Sequence, residues 1–335
     1  MIKVKVTTDF PRQPLIRQTP DGKGIWGNCQ FFINDDTVDC DYWVVREGLT
    51  KTVSANCPAE NTILITGEPP SIKTYNQKFT NQFARIITCH RDIKHDHKIY
   101  CQQALPWMAG IKFIDKHPAS GKDGLMDYDY FKNNKGENKD KLISIIFSTK
   151  SSTKGHIQRI DFAARMKSHF GEKLEVFGRG INQISDKWDG LARYKYHLVI
   201  ENCYLLDWWT EKLSDCYLSL TYPIYYGCPN INKYFSDKAL TKIDIEKPDE
   251  AIKIIENIIK NDTCSKSLAE IKTAKNLILD KYQFFPMVAD LINSEGAKYD
   301  VKKTITIKPE NYFYDNIPRK LIKLIRKCHA TRYEK

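Results

Sequence analysis

The chain predicts an α/β fold made of two units with parallel sheets, and two observations carry that expectation. Short apolar runs of strand length recur along the 335 residues, and several are followed by apolar residues at helical spacing. The connections between them are short, as α/β units require. Composition agrees, because 41% apolar residues, with 18 Tyr and 15 Phe, suffice for two sizeable cores.

The first domain is expected over residues 1–135. Lys3-Val4-Lys5-Val6, Trp43-Val44-Val45, Thr62-Ile63-Leu64-Ile65 and Arg85-Ile86-Ile87-Thr88 read as strands, and Lys78–Phe83 as a short helix. The polar run 131–141, FKNNKGENKDK, suits a linker or an exposed loop. A second domain is expected over 136–310. It opens with a buried strand at Leu142–Phe147, then a loop over 148–156, a helix over 157–170 and a strand over 174–177. Within that helix Ile157, Ile160 and Ala164 define a buried side, so Arg159 is expected off that face and near the helix N-terminus.

The stretch 194–227, YKYHLVIENCYLLDWWTEKLSDCYLSLTYPIYYG, is the most informative. Tyr196–Ile200 suits a buried strand, and Glu201 and Asn202 end it with hydrogen-bonding groups. Leu213, Cys216, Tyr217 and Leu220 fall at i, i+3, i+4 and i+7, one face of a helix. Pro223 is expected to end that helix, and Ile224-Tyr225-Tyr226 to form the next strand, closed by Gly227. Residues 249–260 and 265–280 read as helices. The pattern gathers Asn202, Trp208, Glu211 and Lys212 around the end of a strand and the start of a helix. Open α/β sheets bind phosphorylated ligands there, because a helix N-terminus offers free N–H groups and partial positive charge. Lys212 would add a full charge, and Glu211 would suit ribose hydroxyls. On periodicity alone, a solvated first helical turn accounts for Glu211 and Lys212 equally well.

Other segments carry weaker signals. In Ile65-Thr66-Gly67-Glu68-Pro69-Pro70 a strand ends, a carboxylate follows, and two prolines stiffen the exit. Glu68 therefore faces the ligand crevice as a candidate general base, or is a plain loop carboxylate. Arg159 suits bidentate phosphate binding, with Arg165 as a rival. Arg179, between Gly178 and Gly180, is a further candidate for the donor crevice. His90, His95 and His97 lie in a polar segment that reads as a solvated loop rather than a metal site. Asp127-Tyr128-Asp129 reads as incidental.

The stretch 194–227 resembles the donor-site signature of family-10 glycosyltransferases, the α-1,3/1,4-fucosyltransferases. The residues that carry the likeness are Tyr194, Lys195, Glu201, Asn202, Trp208, Thr210, Glu211, Lys212, Pro223, Ile224 and Gly227. The resemblance implies a GT-B type fold, with two Rossmann-like domains facing each other across a cleft. The first would bind the acceptor and the second the nucleotide sugar. It implies inverting transfer of L-fucose from GDP-fucose to a hydroxyl of GlcNAc or Glc in a cell-surface polysaccharide or lipopolysaccharide. Under it, Glu68 is the base, Arg159 and Lys212 hold the diphosphate, Glu211 holds ribose, and Asn202 and Trp208 shape the pocket. No catalytic metal is implied. Cys203 and Trp208 depart from the usual pattern, which leaves transfer of another sugar open. A non-catalytic glycan-binding protein is a further alternative, opposed by the joint presence of Glu68 and the Glu211-Lys212 pair.

The net charge of +11 is partly local, since residues 311–335 hold seven Lys/Arg against two acids. Ile317, Leu321, Leu324, Ile325 and Cys328 recur there at helical spacing between basic residues. That predicts either a terminal helix packed on the core or a peripheral contact with an anionic membrane. No nucleic-acid-binding motif is present. No apolar run of the roughly 18 residues needed to span a membrane occurs, and a cytoplasmic protein is expected. The ten cysteines form no CxxC pair, which suits reduced, packed thiols.

Overall fold

The computed structural model describes residues 1–10, 13–114, 117–118, 125–147, 154–294 and 301–314. The chain forms two compact units, one made of residues 1–104 together with the chain from 284 onward, the other of residues 105–283.

The first unit is built on β1 (Ile2–Thr8), β2 (Ile25–Trp26), β3 (Cys29–Ile33), β4 (Tyr42–Arg46), β5 (Val53–Cys57), β6 (Thr62–Ile65), β7 (Arg85–Thr88) and β8 (Lys98–Tyr100). Seven of these make one sheet in the order β2-β3-β1-β4-β6-β7-β8. All neighbours are parallel except β2 with β3. Side chains alternate between its faces, as strand geometry dictates. Val44, Ile63 and Ile65 join one apolar cluster, while Trp43, Val45 and Leu64 join another. Helix Phe284–Ser294 closes the first cluster, with Phe285 edge-on to Phe31 at 4.9 Å between centroids. Phe79, from the single turn Gln77–Thr80, fills the second.

The second unit carries β9 (Lys141–Ile146), β10 (Leu174–Phe177), β11 (Tyr194–Ile200), β12 (Tyr222–Tyr226) and β13 (Thr241–Lys242). Their order is β10-β9-β11-β12-β13, and every pair is parallel. The chain then returns to the first unit, where β14 (Lys303–Ile307) pairs antiparallel with β5.

The strand expectations hold, and the two sheets are the predicted parallel ones. Three local readings change. Residue 131, expected in a linker, is a fully buried Phe on helix Tyr128–Asn133. Lys139 from the same run donates to the carbonyls of Ala192 at 2.6 Å and Ser219 at 2.8 Å, which ties it into the second unit. The helix in the signature stretch spans Glu211–Leu218 and stops short of Pro223, since Leu220 is left-handed at φ +54°. Pro223 lies inside β12, where the short neighbour β13 reaches only Ile224 and Tyr225.

The long helix of the second unit, Lys154–Phe170, buries a different face from the one expected. Arg159, Phe162, Ala163, Met166 and Phe170 point inward, while Ile157 is 49% exposed and Ala164 is exposed. With the buried His156 three residues earlier, the inward set is a helical stripe that opens on polar residues, so apolar residues alone misplace it. The nine cysteines among the described residues are free thiols, seven of them buried. Among the described residues no helix is long and apolar enough to cross a membrane. The basic segment 317–335 lies outside the described residues.

Candidate active site

In the second unit the strand order reverses between β9 and β11. The segments leaving their carboxyl ends run to opposite sides, which opens a crevice. Two predicted residues meet there. Arg159, from the helix after β9, donates through Nη1 to Asn202 Oδ1 at 2.5 Å, just past the end of β11. Arg159 is only 4% exposed and its guanidinium lies 5.7 Å from the Phe147 ring centre. Burial lowers its pKa, and the nearby Glu201 opposes that. Arg165, its rival, is exposed and paired with Asp249 at 2.8 Å.

Beside this contact begins helix Glu211–Leu218. Thr210 is its N-cap, and its hydroxyl accepts from the Lys212 N–H. Glu201, 1% exposed, accepts from the Thr210 N–H at 2.8 Å and from the Lys212 ammonium at 3.0 Å. Gly227, at φ +155°, makes room for it, since a Cβ there would meet Glu201 Cγ at 2.5 Å. Lys187, which the sequence reading passes over, contacts Glu211 at 3.2 Å and Asp215 at 3.5 Å. Lys212 lies 3.8 Å from Glu211.

This knot of charges sets the protonation states. Burial pushes the Glu211 carboxyl up, but Lys212 and Lys187 outweigh it and hold the pKa down at about 2. Burial alone lowers Lys212, yet Glu201 and Glu211 raise it above the ordinary lysine value. Glu211 is thus ionised and Lys212 charged at neutral pH. Asp215, where burial dominates, rises to about 6. Lys212 is not the isolated cation the sequence suggests, because two carboxylates share it.

Trp208 is 3% exposed, and its indole N–H has no hydrogen-bond partner among the described residues. The loop that carries it is pinned by Asp207, left-handed at φ +59°, whose carboxylate accepts from Tyr234 at 2.6 Å and Asn230 at 2.9 Å. Arg179 sits on an exposed turn at the carboxyl end of the edge strand β10.

The first unit has its own reversal, between β1 and β4. Glu68 follows β6 in the same row of carboxyl ends and is exposed between buried neighbours. Three residues that the sequence reading does not connect with it gather around its backbone. Glu47 accepts the Glu68 N–H at 3.0 Å, Lys73 pairs with Glu47 at 3.3 Å, and His90 lies 2.8 Å from the Glu68 carbonyl oxygen. His90 is fully buried, which corrects its expected place in a solvated loop. The apolar Tyr75 edge and the strand ends enclose it. Asp127 caps helix Tyr128–Asn133 by accepting from the Tyr130 N–H at 2.8 Å, which accounts for the DYD sequence. Among the described residues no three His, Cys, Asp or Glu side chains gather as a metal would need.

Comparison with known proteins bears on the second unit. Residues 136–272 match the model of the glycosyltransferase family 10 (fucosyltransferase) C-terminal region. The α-(1,3)-fucosyltransferase FucT of Helicobacter pylori is 38% identical over 73 residues, which are 22% of this chain and 15% of that protein. A crystal structure of an α1,3-fucosyltransferase is 18% identical over 85% of this chain and 93% of that one, with a TM-score of 0.48. One with GDP-fucose is 17% identical, covers 85% and 92%, and has a TM-score of 0.45. The family match spans the switch-point crevice, Glu201, Thr210, Lys212 and Gly227 together. Residues 136–272 of this chain are therefore similar to the C-terminal region of glycosyltransferase family 10, the fucosyltransferases.

Proposed function

We propose that this chain transfers L-fucose from GDP-fucose to a hydroxyl of GlcNAc or Glc in a glycan, with inversion, during synthesis of a surface polysaccharide or lipopolysaccharide. The observation that carries this reading is the buried Arg159 joined to Asn202 across the switch point, beside a capped helix start that holds Lys212. A diphosphate needs that combination of cationic donors and free N–H groups.

The acceptor oxygen attacks the sugar carbon as the bond to the diphosphate oxygen breaks. The electron pair leaves with GDP, and Glu68 takes the hydroxyl proton. Arg159, Lys212 and the helix N-terminus stabilise charge on the departing diphosphate, so no divalent cation is invoked. Glu211, ionised among its lysines, accepts from ribose hydroxyls. Asn202 and Trp208 shape the pocket around the sugar and phosphates, and Arg179 lines its outer edge.

Calorimetry with GDP tests the donor half. Arg159→Ala is expected to weaken GDP by about tenfold or more, the scale of lost charged hydrogen bonds. UDP is expected to bind the wild type more weakly than GDP. Wild-type GDP affinity in the variant would refute the phosphate assignment.

A further inference from the structure

The backbone of Glu68 is gripped on both sides while its side chain stands in solvent. On one side is Glu47, directly after β4 and 3% exposed. Its carboxylate Oε2 accepts the Glu68 N–H at 3.0 Å. Lys73 donates to the carboxylate of Glu47 at 3.3 Å and to its carbonyl at 3.1 Å, so the carboxylate is held from behind. On the other side is His90, fully buried, with Nε2 at 2.8 Å from the Glu68 carbonyl oxygen. A carbonyl only accepts, so Nε2 carries the proton. Burial drives the imidazole pKa down, although the Glu68 carbonyl and Asp92 pull it back. His90 is therefore the neutral Nε2–H tautomer, and its own N–H is fixed by Thr88 Oγ1 at 3.0 Å.

The arrangement is built at some cost. Glu47 takes a left-handed backbone at φ +68°, which a non-glycine residue adopts only where its surroundings demand it. Gly67 is required by the same contact, because a Cβ there would lie 1.5 Å from Glu47 Oε2. A buried carboxylate and a buried imidazole are an expensive way to close a loop. Both converge on the peptide units of one exposed acid.

We propose that Glu47 and His90 are positioning residues for Glu68, clamping its main chain so that the carboxylate is presented in one orientation, with Lys73 and Gly67 holding the clamp. This rests on the reading of Glu68 as the base that takes the acceptor proton.

The test is steady-state kinetics of Glu47→Ala, His90→Ala, Glu47→Gln and His90→Gln, each alone and combined with Glu68→Gln. The alanine variants are expected to lower kcat on the order of ten- to a hundredfold, the scale for a misplaced catalytic group. KM for GDP-fucose should stay within about twofold, since donor binding resides in the other unit. The glutamine variants recover most of the rate, because an amide still accepts from the Glu68 N–H or donates to its carbonyl. In the Glu68→Gln background the alanine changes cost nothing further. Gly67→Ala, which forces Glu47 aside, should reproduce the kcat loss should an alanine variant fail to fold. Wild-type kcat in Glu47→Ala, His90→Ala or Gly67→Ala overturns the clamp. So does an equal further loss in the Glu68→Gln background. Wild-type kcat in Glu68→Gln alone overturns the base assignment instead.

Discussion

Glu68→Gln is expected to lower kcat by about 10²- to 10⁴-fold, the range for removal of a general base. GDP affinity and thermal stability should stay at wild-type values. The side chain is exposed, and surface substitutions usually shift stability by less than about 0.5 kcal/mol. Gln keeps the shape and both backbone contacts to Glu47 and His90, so the change isolates proton acceptance from geometry. Stopped assays of GDP release, calorimetry with GDP and thermal melts check these points. An unchanged kcat removes Glu68 from the mechanism.

Lys212→Ala is expected to damage stability and donor binding together. Glu201 is fully buried at its side chain, and Lys212 is its counter-ion at 3.0 Å. Removing one member of a buried pair leaves an uncompensated charge, which costs about 3–5 kcal/mol. That corresponds to a fall in Tm of roughly 10 °C for a domain of this size. Loss of the cation beside the helix start should also weaken GDP by about tenfold or more. The two effects separate in the double variant Glu201→Gln/Lys212→Met, which removes both charges. Thermal melts should then recover much of the loss, while calorimetry still shows weak GDP binding. Recovery of GDP affinity along with stability would make Lys212 a structural ion and nothing more.

Most of the fold was legible because parallel strands buried on both faces read as continuous apolar runs. Trp43-Val44-Val45 and Leu142–Phe147 are such runs. Helix faces were less legible. Arg159 lies off the stripe that Ile157, Ile160 and Ala164 predict, yet the structure buries it against Phe147 and Asn202. The apolar spacing names Arg159 as a candidate but gives no sign of its burial, and a buried guanidinium beside a strand end asks for an anion. Helix length in the signature stretch misled for another reason. Leu220 continues the i+7 spacing and is buried, but from a left-handed turn rather than from the helix.

The candidate site is legible where its residues are close in sequence. Thr210, Glu211 and Lys212 form one helix start, and Glu68 directly follows a strand. Contacts made by chain reversal were not. Glu47 meets Glu68 only because β4 and β6 are neighbours, and His90 arrives from the end of β7. Lys187 reaches Glu211 from a turn 24 residues earlier with no periodic signal around it. His90 looked solvated because its sequence neighbours are polar, whereas its spatial neighbours are Tyr75 and strand ends.

The central claim is fucosyl transfer from GDP-fucose, and product analysis tests it most directly. The purified chain is incubated with GDP-fucose and acceptors that present GlcNAc or Glc, and the product is read by mass spectrometry and proton NMR. A product heavier by one fucose, with the anomeric configuration inverted relative to the donor, is the predicted result. No product from GDP-fucose with any acceptor, alongside turnover of a different nucleotide sugar, would contradict it.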